Sequence, residues 1–164
     1  MNIHVISAVG TGSTLLSSFD NVLQKAGVCN YNLIILSSII PPGSKIVKTV
    51  RYITPPEHFG YKLYVIKAEI RSDEAGKYIT AGIGWYQLDD GRGFFVEHEL
   101  KGEIKEAVQS EIQARIINSL KDLCLFRDVR FEPKWIKSAV SIVHIKDSPT
   151  CALALAVYKS EGWK

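Results

Sequence analysis

The feature that most constrains this chain is the break at Pro41-Pro42-Gly43. Proline has no main-chain N–H and cannot extend a central β ladder, so the chain must turn there. The preceding run, Leu33 to Ile40, is apolar and rich in branched residues except for Ser37 and Ser38. Such a run, closed by turn residues, predicts a buried strand that stops abruptly. Two hydroxyls inside it must be hydrogen-bonded or put to use, because an unpartnered hydroxyl in an apolar interior is costly. Two readings are open. Each hydroxyl bonds to nearby backbone and the strand is structural, or the Ser38 hydroxyl attacks the carbonyl carbon of Ser37.

Size and charge narrow the function classes. A chain of 164 residues, 46% hydrophobic and 23% charged, fits one domain with its own core. The net charge of +3 is small, and basic residues are scattered among acids, which argues against a nucleic-acid partner. Cys29, Cys124 and Cys151 are far apart and odd in number, which fits neither a disulfide framework nor a zinc site. No apolar run reaches the length of a membrane span, and the N-terminus lacks the basic-then-apolar pattern of a secretion signal. The expectation is a soluble, cytoplasmic protein without a membrane partner.

Periodicity then sets the element order. Asn2 to Val9 alternates as a strand, Gly10-Thr11-Gly12 reads as a tight turn, and Ser13 as a helix N-cap. Leu15, Leu16, Phe19, Val22, Leu23 and Ala26 fall at helical spacing over Thr14 to Ala26, with Gly27 as the stop. Asp20 lies at the edge of that stripe and reads from spacing as a solvated carboxylate. Asn30 to Asn32 connects to the serine-bearing run. Further strands are expected at Lys45 to Val50, Lys62 to Arg71, Tyr78 to Leu88, Phe94 to Leu100, Trp135 to Ile145 and Cys151 to Tyr158. Asp90-Gly91 marks a hairpin. Glu103 to Phe126 reads as a long amphipathic helix, and Lys159 to Lys164 as a loose end. Alternation puts Glu97 on one face with Phe95 and Glu99, and Phe94, Val96, His98 and Leu100 on the other. Glu97 is then either a carboxylate paired with Lys101 or a partly desolvated acid able to donate a proton. His98 reads as structural, and Glu99 is the neighbour a two-residue slip would confuse with Glu97.

Three blocks, in order from Gly10 to about Leu100, resemble the pyruvoyl-dependent arginine decarboxylase family. They are GTGSTLLSSFDNVLQKAG with Asp20, the segment joining Asn32 to Ser37-Ser38-Ile39 and the Pro-Pro-Gly turn, and AGIGWYQLDDGRGFFVEHEL with Glu97. The middle block is the specific one; the C-terminal third matches only in general pattern.

The resemblance implies an α+β fold, a single-domain four-layer αββα sandwich of mostly antiparallel sheets and two main helices. It also implies a homotrimer with active sites between subunits. It implies autocatalytic serinolysis between Ser37 and Ser38. Ser38 Oγ displaces the Ser38 nitrogen from the Ser37 carbonyl to give an ester. Elimination leaves Ser37 with a carboxylate, and hydrolysis with loss of ammonia leaves a pyruvoyl group at residue 38. The products are residues 1–37 (β chain) and 38–164 (α chain). Asn32 matches the residue that supports this cleavage, Glu97 the proton donor, and Asp20 the carboxylate that faces the substrate guanidinium. Leu16, Leu23 and Ile39 match apolar positions of the pocket. Tyr31 stands where a smaller apolar residue is expected. The implied reaction converts L-arginine to agmatine and carbon dioxide, with the covalent pyruvoyl group from Ser38 as the cofactor and neither metal nor pyridoxal phosphate needed. Alternatives are a decarboxylase of another basic amino acid, an uncleaved homologue that serves as a binding or assembly protein, and a phosphate-binding module at Gly10 to Ser13.

Overall fold

A computed structural model describes all 164 residues. The elements run β1 (Asn2–Thr11), α1 (Leu15–Ala26), β2 (Asn32–Ile35), β3 (Ile39–Ile40), β4 (Lys45–Lys48), β5 (Lys62–Ser72), β6 (Tyr78–Gln87), β7 (Gly93–Gly102), α2 (Lys105–Phe126), β8 (Lys137–His144) and β9 (Thr150–Glu161). Short 3-10 turns lie at Pro56–His58 and Pro133–Trp135. One sheet has the order β2-β5-β9-β1-β4 and the other β3-β7-β6-β8. Only β1–β4 and β2–β5 pair in parallel.

Three apolar layers hold four structural layers together. Ile3, Ile66, Ala68, Ile83, Phe95 and Ala154 fill the space between the sheets. Val22, Leu23 and Ala26 of α1 pack on Leu63, Val65 and Leu153 of the first sheet. Ile112, Ile116, Leu120 and Cys124 of α2 pack on Tyr86, Phe94 and Val96 of the second. The expected αββα sandwich is therefore the observed one. It has nine strands, because the expected run Leu33 to Ile40 forms two of them.

Local chemistry explains the element ends. The Thr14 hydroxyl accepts from Ser17 N and the Ser17 hydroxyl accepts from Thr14 N, each at 3.0 Å, a reciprocal cap that starts α1 one residue after the expected Ser13. Gly27 stops the helix in the left-handed conformation, with φ 84°. Gly10 and Thr11 of the expected turn are instead the end of β1, and Gly12 follows it. Its glycine lets α1 approach, since a Cβ on Gly10 would sit 2.6 Å from Val22 N. The C-terminus is not loose. Strand β9 continues to Glu161, and Trp163 Nε1 donates to Gly60 O at 2.8 Å.

The largest departure falls on the serine-bearing run. Leu33 to Ile40 is not one buried strand. It splits into β2 on the edge of one sheet and β3 on the edge of the other, and Leu36 to Ser38 make the crossing. An apolar run signals burial but not where a chain changes sheets. Here much of it stays open, with Ile35 56% and Ile39 50% exposed.

Candidate active site

The crossing from β2 to β3 fixes the site. Leu36 N still donates to Val65 O of β5 at 2.8 Å, while Ser38 O already accepts from Phe95 N of β7 at 2.8 Å. Within three residues the chain is anchored to both sheets. Ser38 meets this demand with φ 65°, a left-handed conformation uncommon for a residue with a Cβ and strained relative to ordinary backbone. Ser37 is exposed and Ser38 half-buried.

The Ser38 hydroxyl donates to Glu97 Oε1. Strand β7 brings the carboxyl there through the alternation read from sequence. Phe95 points into the layer between the sheets, Phe94 and Val96 point to α2, and Glu97 lies with Phe95. Burial pushes the Glu97 carboxyl above the ordinary carboxylate range. The nearby Glu99 charge adds to this, and the Ser38 hydrogen bond opposes it. The alternative pairing with Lys101 does not form, because Lys101 bonds to Glu74. His98 points the other way and its Nε2 lies 2.9 Å from Ser119 Oγ of α2, a structural contact.

Tyr158 completes the surroundings. Its ring meets Phe95 edge-on, and its hydroxyl donates to Ile39 O at 3.0 Å, just after Ser38. Burial and the Glu97 charge push its ionisation far up, so it is a neutral donor at physiological pH. Sequence patterning gave no sign of it, since β9 is buried almost throughout and its tyrosine reads as core. The chemistry of Ser38 and Glu97 together is that of a nucleophile bonded to a carboxyl able to exchange a proton.

The other expected residues lie elsewhere. Asn32 starts β2, at the opposite end from Ser38. Its Nδ2 donates to Gly60 O at 2.8 Å and its main chain to Tyr61 O, also at 2.8 Å. Tyr31 is buried, with its hydroxyl 3.1 Å from His58 Nδ1. Leu23 is buried beneath α1, whereas Leu16 and Asp20 are exposed on it. Asp20 forms no ion pair within the chain. Ile39 follows Ser38 directly and stands half-exposed.

A hydroxyl on strained backbone held against a half-buried carboxyl is equipment for acid–base chemistry, and the comparisons with known proteins agree with an enzyme. Residues 2–162 match the sequence profile of pyruvoyl-dependent arginine decarboxylase (PvlArgDC), so the chain belongs to the pyruvoyl-dependent arginine decarboxylase family. Among curated relatives, the pyruvoyl-dependent arginine decarboxylase of Thermococcus sibiricus is 32% identical, covering 93% of this chain and 91% of its own. That of Pyrococcus furiosus is 30% identical with the same coverage. Pyruvoyl-dependent arginine decarboxylase 2 of Archaeoglobus fulgidus is 30% identical over 71% of this chain and 73% of its own. No helix is long and apolar enough to cross a membrane.

Proposed function

We propose that the chain cleaves itself between Ser37 and Ser38 and, in the mature form, decarboxylates L-arginine to agmatine. The observation that carries this reading is the Ser38 hydroxyl, held at a strained crossing and bonded to the half-buried Glu97.

The residues present suit a pyruvoyl group at position 38. Ser38 Oγ attacks the Ser37 carbonyl carbon, the peptide C–N bond breaks, and the Ser38 nitrogen takes a proton. Loss of the residue 38 α-proton then expels the Ser37 carboxylate, and water replaces the nitrogen, which leaves as ammonia. Strain at Ser38 favours a backbone that is about to be cut. The pyruvoyl carbonyl, once formed, supplies an electron-withdrawing centre for the substrate amine.

Glu97 holds a proton beside that centre. Its carboxyl resists ionisation because the site is poorly solvated, so it stays able to donate to the carbon that loses carbon dioxide. Tyr158 keeps the first carbonyl after the site in place.

Asp20 recognises the guanidinium, whose paired N–H donors match two carboxylate oxygens. Leu16 and Ile39 meet the methylenes, with Leu23 and Tyr31 supporting the pocket wall from beneath. Asp20 and Leu16 project outward with no partner in their own chain. Asn32 sits four residues before the start of the crossing, roughly 13 Å at ~3.3 Å per residue. The apolar edge at Ile35 and Ile39 is also open. These placements support a trimer in which one copy brings Asn32 or Asp20 to the Ser38 of another, where an amide N–H steadies the oxyanion formed during cleavage.

The test is intact mass followed by assay. Two fragments, residues 1–37 and 38–164, with release of carbon dioxide from arginine in preference to lysine or ornithine, support the reading. A chain that stays whole, or a preference for another amino acid, overturns the corresponding half. Asp20→Asn should raise KM with little change in kcat; an unchanged KM removes Asp20 from the pocket.

A further inference from the structure

The open edges beside Ser38 are joined by a second carboxylate. Strand β2 covers β5 only over Lys62 to Val65, and β3 covers β7 only at Gly93 and Phe94. Beyond the crossing both edges continue without a strand partner. There the Glu69 N–H of β5 donates to Glu99 Oε1 of β7 at 3.1 Å, a side-chain bridge between the two sheets. The β5 end is firm. The Glu69 side chain is 11% exposed and its carboxylate is gripped by Lys67 at 2.7 Å and by Arg71. Both cations in turn lie over the Phe19 ring of α1.

Glu99 stands two residues from Glu97 on the same face of β7, opposite Ala81 where Glu97 is opposite Ile83. We propose that Glu99 is a positioning residue: its carboxylate ties β5 to β7 where their edges run open beside the crossing and sets a negative charge beside Glu97, which holds the catalytic proton there. This rests on the reading of Glu97 as the proton donor.

The groups that face Glu97 are few. Ser38 comes from the crossing, Glu99 from β7 and Tyr158 from β9, while the Lys67, Glu69 and Arg71 set of β5 lies beyond Glu99 and is internally paired. On the far face of β7, α2 sets Ser119 against His98, and the Arg115 charge of α2 also reaches that ring, as does Glu99 from β7 itself. Glu99 is therefore the uncompensated neighbouring charge, and like charge disfavours ionisation of Glu97. Maturation removes the Ser38 hydroxyl, whose hydrogen bond works in the opposite sense, so the weight on Glu99 increases once the pyruvoyl group forms.

The experiment uses the mature enzyme and measures kcat and KM for arginine against pH. Glu99→Gln keeps an oxygen acceptor for the Glu69 N–H but removes the charge. It should leave acid-side turnover within about twofold of the parent and lower alkaline-side turnover about threefold or more, with KM little changed. Glu99→Asp, which keeps the charge, should stay close to the parent profile. A Glu99→Gln profile that superimposes on the parent, or one lowered equally at every pH, overturns the proposal. The second result would mark a purely structural bridge. Glu97→Gln measured in parallel separates the two levels. If it retains parental turnover, the reading of Glu97 fails; if it is slow while the Glu99→Gln profile is unmoved, only the role of Glu99 fails.

Discussion

A serine held at φ 65° bears a strain that glycine would not, of about 1 kcal/mol. Ser38→Ala and Ser38→Gly both remove the proposed nucleophile, and both chains should stay whole and inactive. Denaturant unfolding should show the glycine variant more stable by about 1 kcal/mol, because only it relaxes the left-handed backbone. Equal midpoints would mean that the crossing does not hold Ser38 in that conformation. Glu97 gives a second prediction at this scale. In the proton-donor role proposed for it, Glu97 works only while protonated, so turnover should fall as pH rises through its raised pKa, on the alkaline side of the ordinary carboxylate range. The same shift has a stability sign. The contribution of the neutral carboxyl is fully present below the ordinary glutamate pKa and is lost as pH rises through the raised one. Glu97→Gln should still split, and its turnover should fall by about 10²- to 10⁴-fold. Splitting followed by normal turnover would assign the proton to another group.

Elements that bury one face were legible from spacing, and those set by contacts across the molecule were not. Helix α2 shows the first case. Val108, Ile112, Ile116, Leu120 and Cys124 form a row with four-residue spacing, all buried. Strand β6 accepts that row through two glycines. A Cβ on Gly84 would lie 2.2 Å from Ile116 Cγ2, so Gly84→Ala must push the helix off the sheet. It should destabilise the fold by about 1–3 kcal/mol in thermal or denaturant unfolding. A smaller change would show that α2 can shift without loss. The facing of Glu97 was equally readable, because strand alternation is strict and Phe95 fixes its phase. The crossing was not, because an apolar run looks the same whether it stays in one sheet or passes between two. Tyr158 was hidden for a related reason, since a fully buried strand has no alternation to mark a functional side chain. Lys67, Glu69 and Arg71 did leave a trace, as three charges two residues apart in a strand otherwise apolar over that stretch. Their meaning depended on Glu99, thirty residues away from Glu69 in sequence.

At the scale of the whole molecule, cutting after Ser37 should not release the smaller piece. Residues 1–37 contain β1, α1 and β2. Strand β1 is not an edge. It lies between β4 and β9, with eight register pairs to β9 alone, from His4–Val157 to Thr11–Thr150. Its Ile3 and Val5 belong to the layer between the sheets and Ile6 to the layer under α1, so extraction would open both. Removing those three side chains from apolar surroundings costs about 1.5–3 kcal/mol each before any backbone bond is counted. The cut itself falls at an exposed crossing and leaves these contacts alone. Native mass spectrometry of split protein should therefore give a subunit mass equal to both pieces together, while denaturing conditions separate them. Spontaneous loss of residues 1–37 under native conditions would show that the covalent link at Ser37 carries stability that the sheet does not.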